Sequence, residues 1–297
     1  MRYLWITKYA TQRFLSFFPH SIEMNAVLQY SVGGLRRPIV YGYPRTLTMH
    51  WLLAQTGISL ADAVCVELGT GWDMSSAMTL ARSGAREVYT FDHVRHAVPE
   101  LEASALRMIE SRIVPSDTDL PFQPPFAELT KLVSEEKGLV HYKAPHDARH
   151  TGFGDSSVDF YYSLATLEHI PAKILEGLLR ESYRILKPGT YCYHLVQPGM
   201  HAWRGRESSV DYLIFSKRIW ERWLASPLAF ENRLRAVEHL DLLRSVGFDI
   251  VRTWFHVDET ALEKLPRMRL AEEFRRFSFE ELAHDNFWVI ARKPSVN

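Results

Sequence analysis

The sequence predicts an α/β fold built on a largely parallel sheet, and three observations carry that reading. Ala63 to Ala77, AVCVELGTGWDMSSA, passes from a short apolar run through two glycines into a helix start, as a buried strand, a tight turn and a helix would. Further strand-like apolar runs alternate with helical patterns down the chain. Acidic residues close several of those runs, at the edge where open α/β sheets bind ligands.

Composition bounds the function. The 297 residues are 46% hydrophobic and 12% aromatic, enough to bury a full core in one or two domains. Lys+Arg and Asp+Glu both number 35, and a formal net charge of +0 argues against a general nucleic-acid binder. The two cysteines, Cys65 and Cys192, lie in apolar strand-like runs and read as buried thiols of a protein in a reducing cytoplasm. No segment approaches the roughly 18 consecutive apolar residues of a membrane span, and the amino terminus lacks a signal-peptide pattern. Met1 to Phe18 is nonetheless aromatic-rich. It reads as a lid or docking helix on the core, or as an amphipathic helix on a membrane surface supported only by Arg2, Lys8 and Arg13.

The chain divides at about residue 60. Before it, Ser21 to Tyr30 and Thr46 to Gln55 are patterned as helices around a loop, Pro38 to Pro44, whose Tyr41 and Tyr43 either face a ligand or pack. Residues 1–60 are thus a helical lid or docking segment, and residues 61–297 hold the sheet. Val64 to Leu68 forms its first strand, with Glu67 near the carboxyl end. Gly69 and Gly71 permit the turn, and Ser75 and Ser76 open a helix. The third glycine of a dinucleotide fingerprint is missing, so the turn alone is equally a plain strand–helix connection.

Glu87 to Phe91 is a second strand ending at Asp92, about twenty positions after the turn. A carboxylate there suits both hydroxyls of a ribose, or caps the next helix. Helical patterns follow at Pro99 to Ile113 and Phe126 to Lys137, separated by a proline-rich break. Leu139 to Lys143 is a third strand that leads to His146-Asp147-Ala148, where the acid can accept from an exocyclic adenine amine. A turn, Gly154 to Ser157, precedes a strand over Val158 to Ser163. A helix then follows Pro171, and a Lys-Pro-Gly turn leads to a fifth strand ending near Val196.

Five pieces, VELGTG (Val66 to Gly71), TFD (Thr90 to Asp92), HDA (His146 to Ala148), VDFYYSLATLEHI (Val158 to Ile170) and RILKPG (Arg184 to Gly189), occur in order at suitable spacing. Together they resemble the class I S-adenosylmethionine-dependent methyltransferases, in particular the type 11 group, over roughly Ala61 to Lys293. SVGFDIVRTW (Ser245 to Trp254) and NFWVIAR (Asn286 to Arg292) look like that family's last two strands. The resemblance implies a Rossmann-like seven-stranded, mostly parallel sheet with an antiparallel last strand and helices on both faces. It also implies S-adenosyl-L-methionine bound across the carboxyl ends of the early strands. Carried over, Glu67, Gly69, Thr70 and Gly71 line the amino-acid end of the cofactor, Asp92 the ribose, and Asp147 with Ala148 the adenine. Ser163 and Leu164 lie beside the methionine part. Asp73 departs from the pattern, standing where many members have glycine, which puts the loop geometry in question.

An insert over residues 197–238 is expected to choose the acceptor. Its His201, Trp203, Arg204, Arg206, Asp211, Tyr212, Phe215, Trp220 and Trp223 mix flat rings with hydrogen-bonding groups, as a sugar site would, or else the rings form the insert's own small core. HLVQPGMHAW and the run from Ser209 to Ala236 are similar to methyltransferases encoded with bacterial surface-polysaccharide synthesis. The expected reaction is therefore O-methylation of a sugar hydroxyl in a glycan or glycolipid precursor. A small hydrophobic natural product or quinone is the alternative acceptor. A nicotinamide-dependent dehydrogenase or non-catalytic nucleotide-binding module is the alternative of another class. A hydroxyl acceptor needs a base, and His201 is favoured over His169 and His194. No metal site is expected, since Asp92, His93 and His96 are the nearest approach to a ligand cluster.

Overall fold

The computed structural model describes residues 4–21, 24, 25, 27, 28, 41–114, 124–134, 138–199 and 209–295. Seven strands form one sheet: β1 (Val64–Leu68), β2 (Glu87–Phe91), β3 (Leu139–Lys143), β4 (Val158–Leu164), β5 (Leu186–Val196), β6 (Asp249–Val257) and β7 (His284–Arg292). Their spatial order is β3-β2-β1-β4-β5-β7-β6. β1 pairs in parallel with β2 and β4, and β7 runs antiparallel to both β5 and β6. The chain reverses its direction of travel between β1 and β4, and such a switch point opens a crevice at the carboxyl ends of those two strands.

Alternation along the strands sends successive side chains to opposite helix layers. Val66, Tyr161, Cys192 and Val289 face α6 (Ala172–Ile185) and α8 (Ala236–Val246). Cys65, Val88, Phe160, Tyr193 and Trp288 face α2 (Gly42–Ala54) and α3 (Ser75–Arg82). Both cysteines are buried free thiols. A smaller core lies beyond the sheet, where Tyr9 of α1 (Leu4–Leu15) meets Tyr212, Trp220, Leu265 and Phe274. Tyr9 stacks at a tilt on Trp220 at 5.3 Å and its hydroxyl donates to Glu231 at 2.6 Å. Among the described residues no helix is long and apolar enough to cross a membrane.

Most sheet elements lie where the sequence puts them; the helices before and between them shift. α2 starts at Gly42 and not at Thr46, because Pro44 fits a first helical turn, where no backbone donor is needed. Of the Ser21 to Tyr30 segment, residues 21, 24, 25, 27 and 28 are helical and the rest lies outside the described residues. α4 covers Pro99–Ser111. The helix expected over Phe126 to Lys137 is shorter: α5 ends at Leu129 and a 3₁₀ turn ends at Leu132. The chain there is drawn onto the end of α3, with Ser134 N donating to Arg82 O at 2.8 Å and Gly138 N to Ala81 O at 2.9 Å. Those bonds satisfy carbonyls that a helix end leaves open; residues 135–137 lie outside the described residues.

Candidate active site

The crevice is floored by the loops after β1, β2 and β4. Gly69 and Gly71 both take positive φ, +84° and +74°. Their surroundings differ. A Cβ on Gly69 would lie 2.9 Å from Thr166 Cβ, whereas nothing lies within 4 Å of the same position on Gly71. The first glycine seats the turn against the β4 loop, and the second leaves room for a ligand to approach the backbone. Asp73 Oδ1 accepts from Ser75 N at 2.9 Å, so the acid that replaces a glycine closes its own turn at the start of α3. The loop geometry that Asp73 put in question is kept by a side-chain bond.

Three carboxyls gather at this edge. Asp92, at the end of β2, accepts from Thr70 N and from the Tyr142 hydroxyl, both at 3.2 Å. Burial pushes its carboxyl up to about 7. A carboxylate offers about four lone-pair sites, so two remain for further donors. Glu67 does not face the open edge as its place on β1 suggested. Its side chain is 1% exposed and lies beneath the turn, where Thr90 Oγ1 donates to it at 2.8 Å. Burial raises it to about 8. Thr70 and Thr90 hydroxyls meet at 2.6 Å, so Glu67 and Asp92 are joined through two threonines. Burial raises Asp73 as well, against the pull of the Arg45 guanidinium.

The residues expected around an adenine are split. Ala148 is buried in the sheet core. Asp147 is half-exposed and bound to Arg149 at 2.6 Å, which holds its carboxyl down to about 2. Ser163 and Leu164 lie at the end of β4, beside β1, with Ser163 in register with Leu68.

Of the three histidines, His201 lies outside the described residues. His194 points into the helix layer on the side of Cys192, is fully buried and meets Ser163 Oγ through Nδ1 at 2.8 Å. Burial lowers it to about 3. This is an interior side chain braced against β4, with burial favouring its neutral form. His169 closes the 3₁₀ turn after β4 and is exposed, with Nδ1 2.9 Å from Phe230 O. A carbonyl only accepts, so Nδ1 carries the hydrogen and Nε2 carries the lone pair.

Several residues of the site carried no sequence signal. Arg45 from α2 donates to Gln197 Oε1 at 3.1 Å, and Gln197 Nε2 donates to Asn286 Oδ1 at 2.7 Å. Asn232 Nδ2 donates to Leu167 O and Ile170 O. Partners of Arg45, Tyr142 and Thr166 lie tens to hundreds of residues away, and only Tyr142, in register with Thr90, follows from strand pairing.

Comparison with known proteins adds to this geometry. Residues 118–194 match the family model of the methyltransferase domain, a span that includes the HDA, LEHI and LKPG pieces. The glycine turn and Asp92 lie before it. The chain is similar to a S-adenosylmethionine-dependent methyltransferase of Methanosarcina mazei, 20% identical over 82% of this chain and 98% of that one, with a TM-score of 0.50. The chain thus shares that structure's fold, and residues 118–194 match the methyltransferase domain. Other similar structures are a methyltransferase of Mesorhizobium loti (17% identical, 82% and 96% covered, TM-score 0.45) and the magnesium protoporphyrin IX methyltransferase of Synechocystis (15%, 85% and 83%, TM-score 0.48). No curated protein sequence matches the chain. The residues at this edge fit S-adenosylmethionine: Gly71 leaves open space beside the backbone, and Asp92 lies at the end of β2 with lone pairs beyond those used by Thr70 and Tyr142.

Proposed function

We propose that this methyltransferase acts on a sugar hydroxyl of a glycan or glycolipid precursor. The observation that supports this is the polar wall beyond β4 and β5. Arg45, Gln197 and Asn286 are hydrogen-bonded in series, Gln197 N donates to Glu168 Oε1 at 3.3 Å, and His169 lies on the adjoining turn. Arg45, Glu168 and Asn286 are buried and hold Gln197, with His169 exposed beside them, and polar groups so placed match an acceptor rich in hydroxyls. The insert's Tyr212 and Trp220 do not serve as stacking platforms in this reading, since both are buried in the cap's own core. Their burial takes two of the insert's rings away from any hydrophobic natural product or quinone as well.

When bound, the cofactor supplies a methyl carbon on a sulfonium. The chain's part is to hold an acceptor oxygen in line with it and to take the hydroxyl proton. Gly69, Thr70 and Gly71 form the amino-acid end of the cofactor site in this reading, with Glu67 bracing the turn from beneath through Thr90, Asp92 forms the ribose end, and Ala148 the adenine floor. His169 Nε2, on the turn after β4, is the candidate base within the described residues, and His201, which lies outside them, is the other. A cytoplasmic setting is part of the proposal, supported by two buried free thiols.

The test is to incubate the purified protein with S-adenosylmethionine and nucleotide sugars, oligosaccharides, lipid-linked sugars or phenolic quinones. Mass spectrometry then reads the gain of one methyl. Methylation of a sugar is expected. Methylation of quinones alone overturns the acceptor, and binding of NAD without response to S-adenosylhomocysteine overturns the chemistry.

A further inference from the structure

The end of α1 inverts the usual distribution of polarity. Gln12 and Asn25 are buried and bonded to each other at 3.2 Å, while Phe14, Phe17 and Val27 are 62%, 72% and 67% exposed. Folding therefore spends its interior on a polar pair and leaves large apolar side chains in water, and clustered exposure of this kind marks an interaction surface. The Phe14 and Phe18 rings meet at 5.1 Å, and the Arg13 guanidinium lies over Phe17 at 5.1 Å.

The neighbouring element repeats the pattern. Tyr9, one turn before Arg13, packs on Trp220. The short helix at Lys217–Ile219 and the π-turn at Trp220–Leu224 carry Lys217, Arg218 and Arg222 against Glu221 alone. Trp223 is 62% exposed and the Arg222 guanidinium lies 5.3 Å from its ring, much as Arg13 lies over Phe17. In the sequence, Met1 to Phe18 looked too poor in cations for a membrane surface; the fold brings it against an insert that has them.

We propose that α1 and residues 217–223 form one peripheral docking surface for an anionic lipid bilayer. Aromatic side chains enter the headgroup boundary while the stacked guanidinium groups remain at the level of the phosphates. A second copy of the chain is a poorer occupant, because a two-fold contact through this face would set the same cations against one another. The inference is independent of the acceptor, and it places the crevice on a protein that works at a membrane.

The experiment is co-sedimentation of the full chain with vesicles of phosphatidylcholine alone or containing phosphatidylglycerol. Binding is expected only with the anionic lipid, and it should weaken as salt rises. Lys217→Glu with Arg222→Glu should lower the partition by at least about fivefold for each cation removed. Phe14→Ser with Phe17→Ser should reduce it with no loss of thermal stability, since both side chains are already exposed. Three results overturn the proposal: no binding to anionic vesicles, binding that neither double variant changes, or a concentration-dependent dimer that the phenylalanine variant dissolves. Sugar methylation in solution without vesicle binding would leave the proposed reaction standing and this surface refuted.

Discussion

Thr166 occupies the space that a side chain on Gly69 would need, with its Cβ 2.9 Å from that position, whereas Gly71, two residues on and with nearly the same φ, faces open space. The two glycines answer to different demands, and an alanine at each separates them. Either substitution meets the left-handed backbone at a cost of about 1–2 kcal/mol. Gly69→Ala adds a clash with the β4 loop and should lower the melting temperature clearly more. Gly71→Ala should leave the melt within a few degrees while lowering S-adenosylhomocysteine affinity about tenfold by calorimetry. Equal melting temperatures and equal affinities in the two variants would contradict this division.

Asp92 is the second test of the cofactor site. Asn at this position keeps an acceptor for Thr70 N but loses the charge. Charge-assisted bonds are worth about 1.5–3 kcal/mol, so above neutral pH, where Asp92 is ionised, Asp92→Asn should bind the cofactor at least about tenfold more weakly in a folded protein. Unchanged affinity by calorimetry would return Asp92 to a purely structural bond with Thr70 and Tyr142.

Stability of the cofactor-free protein should peak near neutral pH. Burial raises Glu67 to about 8 and Asp92 to about 7, from 4.5 and 3.8. The fold thus favours their protonated forms, and that contribution is complete below the unfolded values and lost as pH rises through 7 and 8. Burial lowers His50, His194 and His239 to about 4, 3 and 4 from 6.5, so their contribution is present above 6.5 and lost as pH falls. Thermal melts should therefore fall on both sides of about pH 7. Glu67→Gln should flatten the alkaline limb, and a limb unaltered by that variant would mean Glu67 is ionised in the folded protein.

In the proposed reaction His169 and His201 are the two candidate bases. Loss of a general base costs about 10² to 10⁴ in rate. His169→Ala or His201→Ala should show that loss in kcat with cofactor binding intact, and the larger effect identifies the base. His194→Ala removes a bond to Ser163 in the interior and should act through stability. If His194→Ala alone abolishes turnover in a folded protein, both assignments fail.

The sheet was legible because its evidence is local. Apolar runs of strand length, glycines at their ends and acids just beyond them mark β1, β2 and β3 to the residue. Phe126 to Lys137 failed because its helical pattern competes with two backbone bonds to α3 that no local pattern announces. In the insert the residue types suggested rings facing a ligand, yet a ring's type does not say which way it points, and Trp220 turns inward while Trp223 turns out. Arg45 lies 152 positions from Gln197, and a contact at that separation leaves no trace in spacing. Glu67 was identified, but its retreat beneath the turn depends on Thr90 and on the packing of α3.

The bond between Tyr9 and Glu231 spans 222 positions, which makes it a matter of timing as well as packing. At about 5–20 residues per second, α1 exists for roughly 10–45 s on the ribosome before the segment it docks against has been made. Throughout that interval β1 to β5 can assemble while the first helix has no seat. A helix made that far ahead of its seat is fastened late, and a chaperone that shields its exposed Phe14 would act on this protein before its sheet is finished.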